Sequence, residues 1–187
     1  MVKVLIVGGV AGGASAAARL RRLDEKAEIV MFERGEFISF ANCGLPYYIG
    51  DRITKRSALT LQTPERFRAR FNVDVRNFTE VISINKREKI VTAKNLKTGE
   101  KYVETYDKLI LSMGAEPIKP NVKGISSSRV FTIRNIPDTE RIKKHINEMA
   151  PASAVIVGGG YIGLEMAENL KLAGLDVTIV ELSDHLI

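Results

Sequence analysis

The feature that most constrains this chain is a supersecondary unit that occurs twice. In each copy a short apolar run leads into a glycine-rich turn, then a helix, then a second apolar run that ends in a glutamate. In the first copy, Val2-Lys3-Val4-Leu5-Ile6-Val7 has the near-continuous hydrophobicity of a buried parallel strand and stops at Gly8-Gly9. Ala11 to Leu23 reads as a helix rich in alanine, and it closes on Arg19, Arg21 and Arg22, cations suited to a helix C-terminus. Glu28-Ile29-Val30-Met31-Phe32 follows as a strand and delivers Glu33. In the second copy, strand Ala154–Val157 enters Gly158-Gly159-Gly160-Tyr161-Ile162-Gly163, a helix runs to Ala173, and strand Val177–Val180 ends at Glu181.

A βαβ unit of this kind can hold a dinucleotide. Its first glycine makes the tight turn, the second lets backbone approach a pyrophosphate, and the third lets helix pack on strand. The helix N-terminus offers free amides to phosphate, and an acid about 20 residues on reaches the ribose hydroxyls. The second copy meets every requirement with Gly158, Gly160, Gly163 and Glu181. Glu181 would also repel a 2′-phosphate, which favours NADH over NADPH; the alternative is an ordinary charge at a strand end. The first copy departs from the pattern, because Val10 stands where the middle glycine belongs and Gly12 is added beside Gly13. Dinucleotide binding and a plain α/β turn both remain open for it.

Between the copies, Thr63-Pro64-Glu65 has the cap, proline and acid of a helix start, for a helix to about Phe71. Strands are expected at Val73–Arg76, Glu80–Asn85, Lys89–Asn95, Tyr102–Thr105 and Lys108–Ser112, with a hairpin turn at Thr98-Gly99. Pro117, Pro120, Gly124 and Ser126-Ser127-Ser128 form a loop-like bridge, and Pro137-Asp138 opens a helix to about Met149. The expected organisation is therefore α/β, with two Rossmann-like three-layer units built on parallel sheets and an inserted antiparallel β-meander at about 73–112. The first domain spans 1–118 and the second 119–187. A βαβ unit cannot cover both faces of a parallel sheet, so the second unit is expected to be incomplete and the chain a part of a longer protein.

The segment Ser39-Phe40-Ala41-Asn42-Cys43-Gly44-Leu45-Pro46-Tyr47-Tyr48 holds the only cysteine. Small and polar neighbours leave the sulfur approachable, and Pro46 lies close by as it would near a helix start, a setting that favours thiolate. The alternative for a lone cysteine is a structural role in the core. One cysteine rules out an internal disulfide, and no apolar run reaches the ~18 residues of a membrane span. A cytoplasmic protein with no membrane and no nucleic-acid partner is expected. The net charge of +6 is concentrated in residues 50–76, where it suits a solvated face or an anionic, phosphate-bearing small molecule. Composition does not choose between them.

Two glycine turns around a cysteine loop resemble the pyridine nucleotide–disulfide oxidoreductases, in their single-cysteine branch of coenzyme A-disulfide reductases, NADH oxidases and peroxidases, and persulfide reductases. Val7–Gly13, Phe32-Glu33, Ser39–Tyr47 and Gly158–Glu165 carry the resemblance. It implies FAD at the first turn, contacted by Gly8, Val10, Ala11, Gly12, Gly13, Glu33, Arg34 and Gly114 within Ser112–Ala115. It implies NAD(P)H at the second turn, contacted by Gly158, Gly160, Tyr161, Ile162, Gly163 and Glu181. Tyr161 would cover the flavin; simple packing is the alternative. Cys43 would be the catalytic sulfur, carrying a mixed disulfide with coenzyme A. Ser15, Arg19, Arg22, Ser39 and Asn42 would hold the substrate, with a solvated helix end as the alternative for the two arginines. A basic residue that some members place after the Thr63 helix is Phe71 here, and Arg68 or Arg70 stands near enough to replace it. The oxidases and peroxidases of the branch carry a histidine in the first turn where this chain has Ala11, so the resemblance implies a sulfur substrate, with an NADH oxidase, or an inactive fragment retaining only nucleotide units, as alternatives. No metal site is implied, and the parent enzyme is expected to be a homodimer.

Overall fold

The computed structural model describes residues 1–187, which form two compact units. The first comprises residues 1–40 and 60–115, the second residues 41–59 and 116–187. The crossover at 115/116 lies three residues before the expected boundary, and the cysteine-bearing stretch groups with the second unit instead of the first. No sequence signal marks that choice. It is made by the apolar side of a five-residue helix, which finds its partners in the second unit.

The first unit opens with strand β1 (Lys3–Val7), helix α1 (Ala11–Leu23) and strand β2 (Glu28–Phe32). In the second unit, helix α2 (Leu45–Ile49) follows the cysteine. The first unit resumes with α3 (Pro64–Phe71), β3 (Asp74–Arg76), β4 (Thr79–Asn85), β5 (Ile90–Asn95), β6 (Lys101–Thr105) and β7 (Lys108–Leu111). The second unit closes with α4 (Ile136–Met149), β8 (Ser153–Val157), α5 (Tyr161–Leu172) and β9 (Asp176–Val180).

In the first unit, β3-β2-β1-β7 make a parallel sheet, and β4-β5-β6 make an antiparallel one. This corrects the extent of the meander. It spans Thr79–Thr105, because the outermost candidates pair in parallel instead: β3 lies beside β2 and β7 beside β1. Alternation along β1 and β2 sorts their side chains to two faces. Val4, Ile6, Ile29 and Met31 pack under α1 and α3 with Ala14, Ala17 and Phe67. Leu5, Val30 and Phe32 face the meander through Val91 and Ala93. Gly99, at φ +79, turns the β5–β6 hairpin in a backbone region that glycine enters without steric cost.

Charged groups register the meander on the sheet. Glu104 of β6 accepts from Lys3 Nζ of β1 at 2.5 Å and from Arg76 of β3 at 2.5 Å. Lys3 also pairs with Glu28 at 2.8 Å, and Arg76 with Asp74 at 2.7 Å. Burial pushes the Glu104 carboxyl upward, but the hydrogen bonds from Lys3 and Arg76 together outweigh it and hold the group below the ordinary carboxylate range.

The second unit has one parallel pair, β8-β9, with helix packing on one face. Ile49 of α2, Ile142 of α4, and Met166 and Leu170 of α5 form its core with Leu175. Ion pairs Asp51–Lys143, Arg52–Glu168 and Arg56–Glu140 tie the cysteine stretch to α4 and α5. Val155 and Val157, on the other face, are exposed. No helix is long and apolar enough to cross a membrane.

A carboxyl depressed on folding contributes stability above its unfolded pKa of about 4.3, and that contribution is lost as pH falls through the folded value. Glu104→Gln is therefore expected to cost about 1–3 kcal/mol at neutral pH. It should also flatten the loss of stability on acidification below about pH 4.3, as read from urea midpoints between neutral pH and pH 3.

Candidate functional site

The two glycine turns are built alike. Gly8 sits at φ +99 and its N–H donates to Phe32 O at 2.8 Å; Gly158 sits at φ +104 and donates to Val180 O at 2.9 Å. Both lie where an L side chain is strained, which explains the turn glycine. A Cβ on Gly13 would run into the carbonyl of Gly8, and one on Gly163 into that of Gly158. These close approaches are the packing role expected of the third glycine. The middle position behaves differently. Val10 and Gly160 both have negative φ, at −88 and −74, so neither position needs the left-handed freedom of glycine.

The strand-end acids do something the spacing alone did not reveal. Glu33 Oε2 accepts from Gly9 N–H at 2.8 Å, and Glu181 Oε2 from Gly159 N–H at 2.6 Å. Glu33 Oε1 takes Gly35 N–H at 2.7 Å, and Glu181 Oε1 takes Leu182 and Ser183 N–H at 2.7 and 2.9 Å. Each carboxylate thus ties the end of its strand to its own turn. The backbone amides of Ser183, Gly159 and Leu182 hold the Glu181 carboxyl below its usual range. The recurrence of acid and turn at like spacing was the available signal.

Helices α1 and α5 begin at these turns with no side-chain cap, whereas α3 and α4 are capped by Thr63 and Asn135. First-turn amides left without a side-chain acceptor are what a phosphate group requires. No atom lies within 4 Å of where a Cβ on Gly160 would stand, so that side of the second turn is open. The residues present fit a dinucleotide at both turns. At the first, Ser112 approaches closely: its carbonyl faces Gly8 and its Oγ faces Gly12, while Gly114 turns away at φ +70. Arg34 pairs with Glu80 at 3.8 Å. Tyr161 is 76% exposed and Ile162 62%, so neither packs inside its unit.

Cys43 lies in a 3-10 turn, Asn42–Gly44, that runs directly into α2 with Pro46 in its first turn. The thiol is free and exposed, which excludes a structural core role. Gly44 is buried beneath it, where a Cβ would press on Leu59 and Ile53 at 3.1 and 3.2 Å. Ala41 N–H donates to Leu59 O at 2.9 Å and closes the neck of the stretch.

The candidate substrate residues divide. Ser15 and Ser39 line one groove of about 340 Å³ in the first unit, whose α1 wall is otherwise Ala11, Ala14 and Ala18. Ser39 has φ +45 and donates its N–H to Gly9 O at 2.9 Å, which fixes the groove against the glycine turn. Arg19 and Arg22 are exposed on later turns of α1 and do not line it. Asn42, also exposed, belongs with Cys43 in the second unit. Arg70 lines the groove with Phe71, whereas Arg68 turns away to Asp74 and the carbonyl of Val75. Arg21, read from the sequence only as a cation at a helix end, donates to the carbonyls of Phe71 and Asn72 at 2.9 and 2.8 Å and binds the ends of α1 and α3 together.

Residues 2–187 match the family model of the pyridine nucleotide-disulphide oxidoreductases, and the chain belongs to that family, which is FAD- and NAD(P)H-dependent. It is 45% identical over 184 residues to a coenzyme A disulfide reductase of Staphylococcus haemolyticus, covering 98% of this chain and 41% of that protein. Its fold matches a crystal structure of reduced Bacillus anthracis CoADR-RHD with TM-score 0.97 at 57% identity, over 100% of this chain and 34% of that one. It also matches an NAD-dependent persulfide reductase of A. fulgidus with TM-score 0.93 at 34% identity, covering 98% of this chain and 34% of that one. The chain therefore spans well under half the length of these relatives.

Gly13→Val would force α1 away from β1, because the added atoms run into the Gly8 carbonyl and the Ile6 side chain. Overpacking of this kind costs about 1–3 kcal/mol, and the expected outcome is a lower urea midpoint than for Gly160→Ala, whose Cβ meets nothing within 4 Å at a φ of −74.

Proposed function

We propose that this chain is the nucleotide- and cysteine-bearing part of a flavin-dependent NAD(P)H oxidoreductase that reduces coenzyme A disulfide, or a related disulfide or persulfide, through Cys43. The observation that carries this reading is the exposed, unpartnered thiol at the entry to α2, in a chain of this family with no second cysteine. The reaction belongs to the full-length protein.

On this reading Gly8, Val10, Ala11, Gly12, Gly13, Glu33, Arg34 and Gly114 hold FAD, and Gly158, Gly160, Tyr161, Ile162, Gly163 and Glu181 hold NAD(P)H. Bound FAD supplies the two-electron relay between nicotinamide and sulfur. The uncapped N-termini of α1 and α5 take the pyrophosphates. Glu181, kept ionised by three backbone amides, repels a 2′-phosphate and so supports NADH over NADPH. Ser15 and Ser39 contribute hydroxyls from the groove, Asn42 an amide next to Cys43 in sequence, and Arg19 and Arg22 exposed positive charge on later turns of α1.

Cys43 acts as a thiolate nucleophile. Its sulfur forms a bond to one sulfur of the substrate disulfide, the substrate S–S bond breaks, and the first thiol leaves after taking up a proton. Two electrons from NAD(P)H and one proton then cleave the mixed disulfide, releasing the second thiol and restoring the Cys43 thiolate. The substrate thiol thus serves as the resolving sulfur. Oxygen or peroxide chemistry has less support, because Ala11 occupies the glycine turn. His145 packs against Phe131 at 5.0 Å, and His185 pairs with Asp184.

In the full-length protein, Cys43→Ser should abolish NAD(P)H-dependent reduction of coenzyme A disulfide while the visible flavin spectrum persists. Disulfide turnover retained by that variant would refute the assignment. Glu181→Gln should narrow the ratio of kcat/KM for NADH over NADPH by about tenfold, the scale of one lost charge repulsion, with disulfide KM unchanged.

A further inference from the structure

We infer that Lys143 and Asn169 are positioning residues for Cys43: they fix the far end of α2 from α4 and α5, and so set where the thiol at its near end stands. The inference rests on the proposed disulfide chemistry at Cys43 and adds to it the groups that hold that sulfur in place.

All of these residues lie in the second unit. Cys43 sits in the 3-10 turn that runs into α2 with no loop between them, and α2 has only five residues. At about 1.5 Å per residue such a helix is about 7.5 Å long, so it shifts as one piece and a displacement at its end reaches the cysteine. Ile49 anchors α2 in the apolar core of the unit. Apolar burial is not directional, however, and leaves a short helix free to slide and rotate. Polar contacts at its end remove that freedom.

Lys143 of α4 supplies a pull. Its Nζ donates to Tyr48 O at 2.5 Å and to Asp51 Oδ1 at 2.6 Å, and it lies 4.4 Å from the Tyr48 ring centroid. The side chain is only 15% exposed, so one mostly buried ammonium grips a carbonyl, a carboxylate and a ring at the end of α2.

Asn169 of α5 supplies a stop. Its Nδ2 donates to Glu165 O at 2.7 Å, which orients the amide and leaves Oδ1 against Gly50. A Cβ on Gly50 would come within 2.5 Å of that oxygen and 2.9 Å of the Asn169 Cβ and carbonyl oxygen. Gly50 has φ −82, so it is this contact, and not the backbone, that excludes a side chain there. Asn169 is fully buried and its Oδ1 has no donor, which costs stability. Asparagine is also a weaker helix former than leucine inside α5. A residue that costs stability twice is accounted for by what it places.

The test uses the full-length holoenzyme. Lys143→Met and Asn169→Leu should each slow the release of coenzyme A thiol when pre-reduced enzyme meets coenzyme A disulfide. The expected loss is about tenfold, against the ~100-fold that a 1 Å misplacement can cost. Flavin reduction by NADH and the KM for coenzyme A disulfide should stay at wild-type values. Asn169→Leu should keep or raise the urea midpoint, because it removes the orphaned oxygen. Lys143→Arg should restore part of the rate, and Arg52→Ala, which breaks an exposed ion pair from the same stretch to α5, should change nothing. Wild-type thiol release in either Lys143→Met or Asn169→Leu overturns the inference. So does a slow Asn169→Leu enzyme with a lowered urea midpoint, the result of a merely structural role. If the wild-type enzyme releases no thiol from coenzyme A disulfide, the catalytic reading fails instead, and alkylation of Cys43 by iodoacetamide then decides the positioning: a rate constant altered in both variants supports it, and an unaltered one overturns it.

Discussion

The close approach of a helix to a turn carbonyl, Gly13 on Gly8 O and Gly163 on Gly158 O, is the contact on which the rest of this structure depends. It sets α1 and α5 directly on the strands that precede them, with the first-turn amides of each helix free of any side-chain acceptor. A larger residue at either position would move the helix off the sheet and spread those amides. The strand-end glutamate completes the arrangement. By accepting from the glycine N–H in the turn, it links the second strand to the first through a charged hydrogen bond.

Around the first of these turns, two different forces assemble three layers. Apolar burial under α1 and α3 closes one face of the parallel sheet, and the meander closes the other over Leu5, Val30 and Phe32. The apolar contact of a meander with a sheet is not directional. Glu104, Lys3, Arg76 and Asp74 supply the direction, because a charge in a partly buried setting tolerates few registers. Arg21 performs a similar service between α1 and α3, where four hydrogen bonds from one guanidinium satisfy carbonyls at two helix ends.

In the cysteine stretch an exposed thiol sits on a backbone that is itself held in place. Gly44 beneath the thiol is buried and Ile49 reaches the core of the second unit, yet the sulfur itself is exposed. At the end of α2, Gly50 lies so close to the buried Asn169 that a Cβ would come within 2.5 Å of its Oδ1. That oxygen has no hydrogen-bond partner, while Asn169 Nδ2 donates to Glu165 O at 2.7 Å. An apolar residue would avoid the unpaired oxygen, so packing against Gly50 carries a cost here.

Much of this was legible along the chain because its signals are local. Apolar runs, glycine turns, Thr63 before Pro64 and the two strand-end acids each state their structure within a few residues, and α1, α3 and α5 lie within a residue of where periodicity put them. The lone thiol and the glycine fingerprint determined the kind of chemistry to look for. Folding in three dimensions decided what depends on partners far apart in sequence. It drew β3 and β7 out of the expected meander into the parallel sheet, and it gave residues 41–59 to the second unit. It also chose Arg70 over Arg68 for the groove. Each of those outcomes turns on which distant surface offers the better burial or the unmatched charge, and no window of neighbouring residues contains that information.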